Sequence, residues 1–162
     1  MPTKYPMPIQ EAVRDLLMDL VGRGVAVSKG EPPELEDDTV AVVADYVTDD
    51  DAVGVVCLVD LPLAAAVGGA LTMVPAAVVN ESVRKNRFEE EMLLENYGEV
   101  ANIMTRLFNS ADTPHLRWRS TYVLPTELPA DVKALSEKPS ARRCFDVTVE
   151  GYGDGKLVLM VG

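Results

Sequence analysis

Residues 95–110 read ENYGEVANIMTRLFNS. With the residues just upstream, they put Leu93, Tyr97, Val100, Ala101, Met104, Leu107 and Phe108 at helical spacing. At about 100° per residue these side chains share one apolar stripe. Glu95, Glu99, Asn102 and Arg106 fall at i, i+4, i+7 and i+11 and stack on the opposite side, with Gly98 beside them. A plain solvated face is one account of this set. It is a poor choice for helix stability, because an interior Gly costs roughly 1 kcal/mol relative to Ala and an Asn several tenths. The spacing predicts one helix over residues 88–108, with Leu93, Tyr97, Val100, Met104 and Phe108 buried and Glu99 and Asn102 exposed. Asn86 and Glu89 have the spacing of a capping box that starts or restarts it.

Upstream, residues 9–21 form an amphipathic helix with Ile9, Val13, Leu16, Leu17 and Leu20 on one face, stopped by Gly22 and Gly24. Residues 25–28 suit a short strand, and GEPPELEDD at 30–38 is a polar loop. Residues 39–47 and 53–59 are β-branched runs separated by an acidic turn, the pattern of an antiparallel hairpin. Residues 61–79 carry no charge and are nominally long enough to span a bilayer. Gly68, Gly69 and Pro75 interrupt them, so a buried helix, a turn and a short helical entry read better than membrane insertion. Downstream, residues 116–124 form a strand, 129–137 a helical turn or two, and 142–150 with 156–161 a second hairpin around GYGDG. The order is that of one α+β domain over residues 1–162: two layers, a mainly antiparallel sheet, and long helices packed on one face.

Composition removes several function classes. The 162 residues are 48% hydrophobic and 25% charged, ordinary for a globular domain. A net charge of −11 argues against nucleic acid or an anionic membrane as partner, since phosphate contacts are made chiefly by Lys and Arg. Arg117, Arg119, Arg142 and Arg143 read as solvated charge alternating outward from strands. Cys57 and Cys144 sit in apolar runs and suit buried, reduced thiols of a cytoplasmic protein. The single His115 lies in a turn, and no metal site is expected. The N-terminal MPTKYPMPIQ lacks the apolar core of a signal peptide. Asp49, Asp50 and Asp51 are a solvated turn, and GYGDGK is a hairpin turn rather than a phosphate loop, because no helix follows it.

What remains is Glu99-x-x-Asn102 followed, after 22 intervening residues, by Pro125. This pattern, with the wording GEVANIM around it, resembles the CheC/CheX/FliY family of phosphatases that dephosphorylate the response regulator of bacterial chemotaxis. Their pattern is Asp or Ser, three residues, Glu, two residues, Asn, then 22 residues and Pro. The order of elements is similar to a CheX-like domain over nearly the whole chain. The resemblance implies hydrolysis of the aspartyl phosphate of a receiver domain, with Asn102 orienting the attacking water and Glu99 pairing with the receiver's lysine. It implies Glu95, Gly98, Arg106 and Pro125 at the partner surface and a homodimer, with residues 142–161 supplying a sheet edge for the twofold partner. No cofactor of its own is implied, because the receiver carries the Mg²⁺.

Two positions depart from the family. Glu95 stands where Asp or Ser is usual, and Arg106 where a small residue, often Gly, follows the Asn by four. Arg106 would fill the docking face, or reach Glu95, Glu99 or Asn102 and lock them. The competing reading is therefore a catalytically inactive CheX-like module that binds a receiver or dimerises.

Overall fold

The computed structural model describes residues 5–162. Six strands form one sheet: β1 (Val25–Lys29), β2 (Ala41–Val47), β3 (Val53–Asp60), β4 (Arg117–Leu124), β5 (Ala141–Val149) and β6 (Gly153–Val161). Their order is β1-β5-β6-β3-β2-β4, and every pairing is antiparallel. β2 and β3 are central and buried on both faces, so their sequences are near-continuous apolar runs. The α+β class, the two hairpins and the order of elements match the expectation.

Four helices, α1 (Gln10–Val21), α2 (Leu61–Leu71), α3 (Ala76–Lys85) and α4 (Glu91–Ile103), pack on the face presenting Val42, Ala44, Tyr46, Val55, Cys57 and Val59. α5 (Ala130–Glu137) departs from the single-face expectation. Its Val132 and Leu135 lie on the opposite face, against Val43, Val56, Leu58 and Met160. The uncharged run of residues 61–79 is core rather than membrane: α2 is buried along almost its whole length. Among the described residues, no helix is long and apolar enough to cross a membrane. Asp60 caps α2, accepting from the Leu63 N–H at 3.1 Å. Gly68 marks the crossing of α2 with α4, where a methyl group would run into the Leu93 carbonyl.

Several local expectations are corrected. Asn86 does not start α4 but ends α3, with a left-handed backbone (φ 55) that asparagine tolerates and its Nδ2 donating to the Asp38 carbonyl at 2.9 Å. Glu89 is drawn instead to Lys85 at 2.6 Å. Residues 142–161 do not supply a long free edge. β6 lies between β5 and β3, and β1 covers β5 over Phe145–Val149, leaving only its first residues open on that side. The sheet's true edges are β1 and β4. Cys57 is buried, and burial pushes its thiol up to about 12, whereas Cys144 is only half-buried; both are unbridged.

Candidate functional site

α4 is held rigidly from below. Leu93, Tyr97, Val100 and Ala101 are buried, as are Met104 and Phe108 beyond its end. The Tyr46 hydroxyl donates to the Ala101 carbonyl at 2.6 Å, and the Tyr46 ring meets Phe108 edge-on at 4.9 Å. Asn96 clamps the helix laterally, its Nδ2 donating to the Gly68 carbonyl at 2.8 Å and to Thr72 Oγ1 at 2.9 Å. Sequence reading overlooked Asn96 within ENYG. The signal was present, because a polar residue beside the apolar stripe at a Gly-rich crossing has backbone to bond.

Glu95, Glu99 and Asn102 project from the outer face of this helix. All three are exposed, and among the described residues none of their side chains has an intrachain hydrogen bond or ion pair. Gly98 does not join them. It is buried, and a methyl group added to it would rest in ordinary contact, 3.8 Å, with the Trp118 indole of β4. It seats the helix on the sheet and offers no surface to a partner.

Arg106 lies beyond the end of α4. The last expected turn of helix tightens into a 3₁₀ turn, Met104–Leu107. The Thr105 hydroxyl donates to the Asn102 carbonyl at 2.6 Å, the acceptor an α-helix would give to the Arg106 N–H. At 3.0 rather than 3.6 residues per turn, three such steps rotate Arg106 by roughly 60° away from Asn102, toward the side opposite Gly98. Among the described residues Arg106 makes no ion pair with Glu95 or Glu99, so it does not lock them. Pro125 is exposed, just beyond the end of β4. Gly98 meets the sheet at Trp118, whose indole leans toward Ser120.

The sequence reading also missed Asp45, which is fully buried on β2. It accepts from Arg119 Nε at 2.7 Å, from the Ser120 N–H at 2.9 Å and more weakly from the Tyr122 hydroxyl at 3.4 Å. Arg119 continues to Asp131 of α5 at 3.2 Å. A bulge opposite Asp45 releases Arg119 from the ladder for this role. Arg119 is therefore not solvated charge. The one clue was a lone carboxylate inside AVVADYV.

The outer side of α4 is exposed at Glu91, Met92, Glu95, Glu99 and Asn102. A groove of about 660 Å³, lined by Ile9, Lys29, Arg142, Arg143 and Phe145, lies at the β1–β5 end of the sheet, the opposite end from β4. Groups on an exposed helix face can act only inside a cleft that another molecule brings. No family model matches the sequence, and no curated protein matches it. Among solved structures, the FliM middle domain from H. pylori aligns with a TM-score of 0.51 and 7% identity, covering 94% of this chain and 84% of that one. The chain has the fold of that FliM middle domain. FliY from Thermotoga maritima aligns at a TM-score of 0.43 with 10% identity, over 94% of this chain and 89% of that one. A chain of the CheX-CheY-BeF3-Mg+2 complex from Borrelia burgdorferi aligns at 0.46 with 13% identity, over 93% of each chain. At 7% identity the likeness to the FliM domain shows the fold alone and leaves the activity to the side chains.

Proposed function

We propose that this protein hydrolyses the aspartyl phosphate of a response-regulator receiver domain in the cytoplasm. The observation that carries the reading is the pair Glu99 and Asn102, exposed three residues apart on one rigid helix and free of intrachain partners. In an acyl phosphate the phosphorus is already activated, and the receiver supplies its own Mg²⁺. What is missing is a water fixed in line with the bond to be broken. The Asn102 side-chain carbonyl accepts a hydrogen bond from that water while its amide is free to donate elsewhere. The water oxygen attacks phosphorus, the bond from phosphorus to the aspartate oxygen breaks, and inorganic phosphate and the free carboxylate leave. Glu99 pairs with the lysine beside the phosphorylated aspartate and holds the helix in register. Glu95, one turn earlier, adds to the same acidic stripe.

Asn102→Ala should lower the hydrolysis of a charged cognate receiver by about 10²-fold, or roughly 3 kcal/mol of barrier, with the fold intact. Glu99→Ala should weaken both receiver binding and turnover. Arg106→Gly should leave the rate nearly unchanged, since the 3₁₀ turn rotates Arg106 away from Asn102 and among the described residues it pairs with neither Glu95 nor Glu99; a large rise would make it a brake. Retained receiver binding without hydrolysis would establish the inactive binding module instead. The same reading includes a homodimer; because most of residues 142–161 lies inside the sheet, its contact is proposed at β1 with the open start of β5, or at β4.

A further inference from the structure

Three helices end on a residue with a left-handed backbone: α1 on Gly22 (φ 67), α3 on Asn86 (φ 55), and α2 one residue past its cap, on Met73 (φ 55). The end of α2 is a complete Schellman turn, with the Met73 N–H donating to the Ala70 carbonyl at 3.3 Å and the Val74 N–H to the Gly69 carbonyl at 2.9 Å. Glycine, or asparagine, is the residue such a position favours. Gly22 and Asn86 follow that preference, and Met73 does not. Its side chain gains nothing from the core in exchange, being 79% exposed, the most exposed of the large apolar side chains described. A strained backbone that presents an apolar side chain to water is explained by what the side chain meets outside the chain.

Met73 does not stand alone. Its neighbour Thr72 is clamped to α4 by Asn96, and the Thr72 hydroxyl lies 3.9 Å from the Met92 sulfur. Met92 is itself 44% exposed. It sits on the outer side of α4, about one turn before Glu95 and roughly 10 Å along the axis from Glu99. Around it Glu90, Glu91, Glu95 and Glu99 are exposed and unpaired among the described residues, so a molecule covering this face must present cations at its rim. The Glu99/Asn102 pair alone is far smaller than the roughly 800 Å² a partner must cover in a stable complex.

Resting on the phosphatase reading above, we propose that Met73 and Met92 form the apolar anchor that seats the receiver domain against the Glu99/Asn102 stripe. Partner choice then resides in the α2–α3 turn, separately from the groups that act on the water. Flexible, polarizable methionines suit such a surface, because they repack against more than one apolar patch.

The test uses the full chain with Met73→Gly, Met92→Gln and both together, against purified receiver domains charged with acetyl phosphate and Mg²⁺. Met73→Gly should leave the unfolding midpoint unchanged or raise it, because glycine relieves the left-handed backbone. Each substitution should raise KM on the order of tenfold with kcat nearly unchanged. Asn102→Ala should do the reverse. If the wild type hydrolyses a receiver and the double variant keeps its KM, the anchor is refuted while the phosphatase reading stands. If the wild type neither binds nor hydrolyses any charged receiver, both fall. If the double variant instead converts a wild-type dimer to monomer in sedimentation, the pad belongs to a second copy of this chain and the proposal is overturned.

Discussion

Asp45 has the largest consequence of any single residue described here. Its carboxylate is wholly removed from water and is held by Arg119, the Ser120 N–H and Tyr122. Removing it leaves a guanidinium that is only 26% exposed with Asp131 as its one remaining ion-pair partner among the described residues. Loss of one member of a buried pair costs about 3–5 kcal/mol, and the partial exposure of Arg119 lowers the expectation to about 2–4 kcal/mol for Asp45→Ala. Urea denaturation would measure it. Replacing Asp45 and Arg119 together by apolar residues of similar volume should recover most of that loss, because no unpaired charge remains. If the single variant matches the wild type, the pair does not hold α5 to the sheet.

Among the elements, the α2–α4 contact decides how the site is presented. Gly68 lets the backbones touch, Asn96 bonds across the gap, and Thr72 ties the end of α2 to the same helix. Gly68→Ala would press a methyl group against the Leu93 carbonyl, a backbone atom with nowhere to go. A loss of about 1–3 kcal/mol is expected, with α4 displaced outward. Receiver hydrolysis should fall as well, because Glu99 and Asn102 ride on that helix. A Gly68→Ala variant with unchanged stability in a thermal or denaturant melt would mean that the two helices do not cross there.

At the scale of the whole molecule, the sheet leaves β1 and β4 as edges, and the chain carries a net charge of −11. Two copies repel at long range, so the proposed homodimer should tighten as salt screens that repulsion. Sedimentation equilibrium should give twice the 17.6 kDa chain mass at micromolar concentration, more completely at high ionic strength. A monomer at every salt concentration would remove the dimer from the functional reading.

The sequence by itself determined the stripes on α4, the two hairpins and the identity of α2 as a helix, because each rests on local periodicity or turn chemistry. Leu93, Tyr97, Val100, Met104 and Phe108 are buried and Glu99 and Asn102 are exposed, as the helical spacing requires. Periodicity reports that a face exists but not what lies against it. Only the tertiary structure decided that Gly98 meets Trp118, that α5 takes the second face of the sheet, and that β5 and β6 lie inside it. The Asp45–Arg119 pair joins residues 74 positions apart; the lone carboxylate in AVVADYV marks one member, but strand pairing and a bulge choose its partner. Arg106 is the intermediate case. One hydroxyl–carbonyl bond from Thr105 accompanies the tighter turn, and so weak a local preference wins only where the surrounding packing permits it.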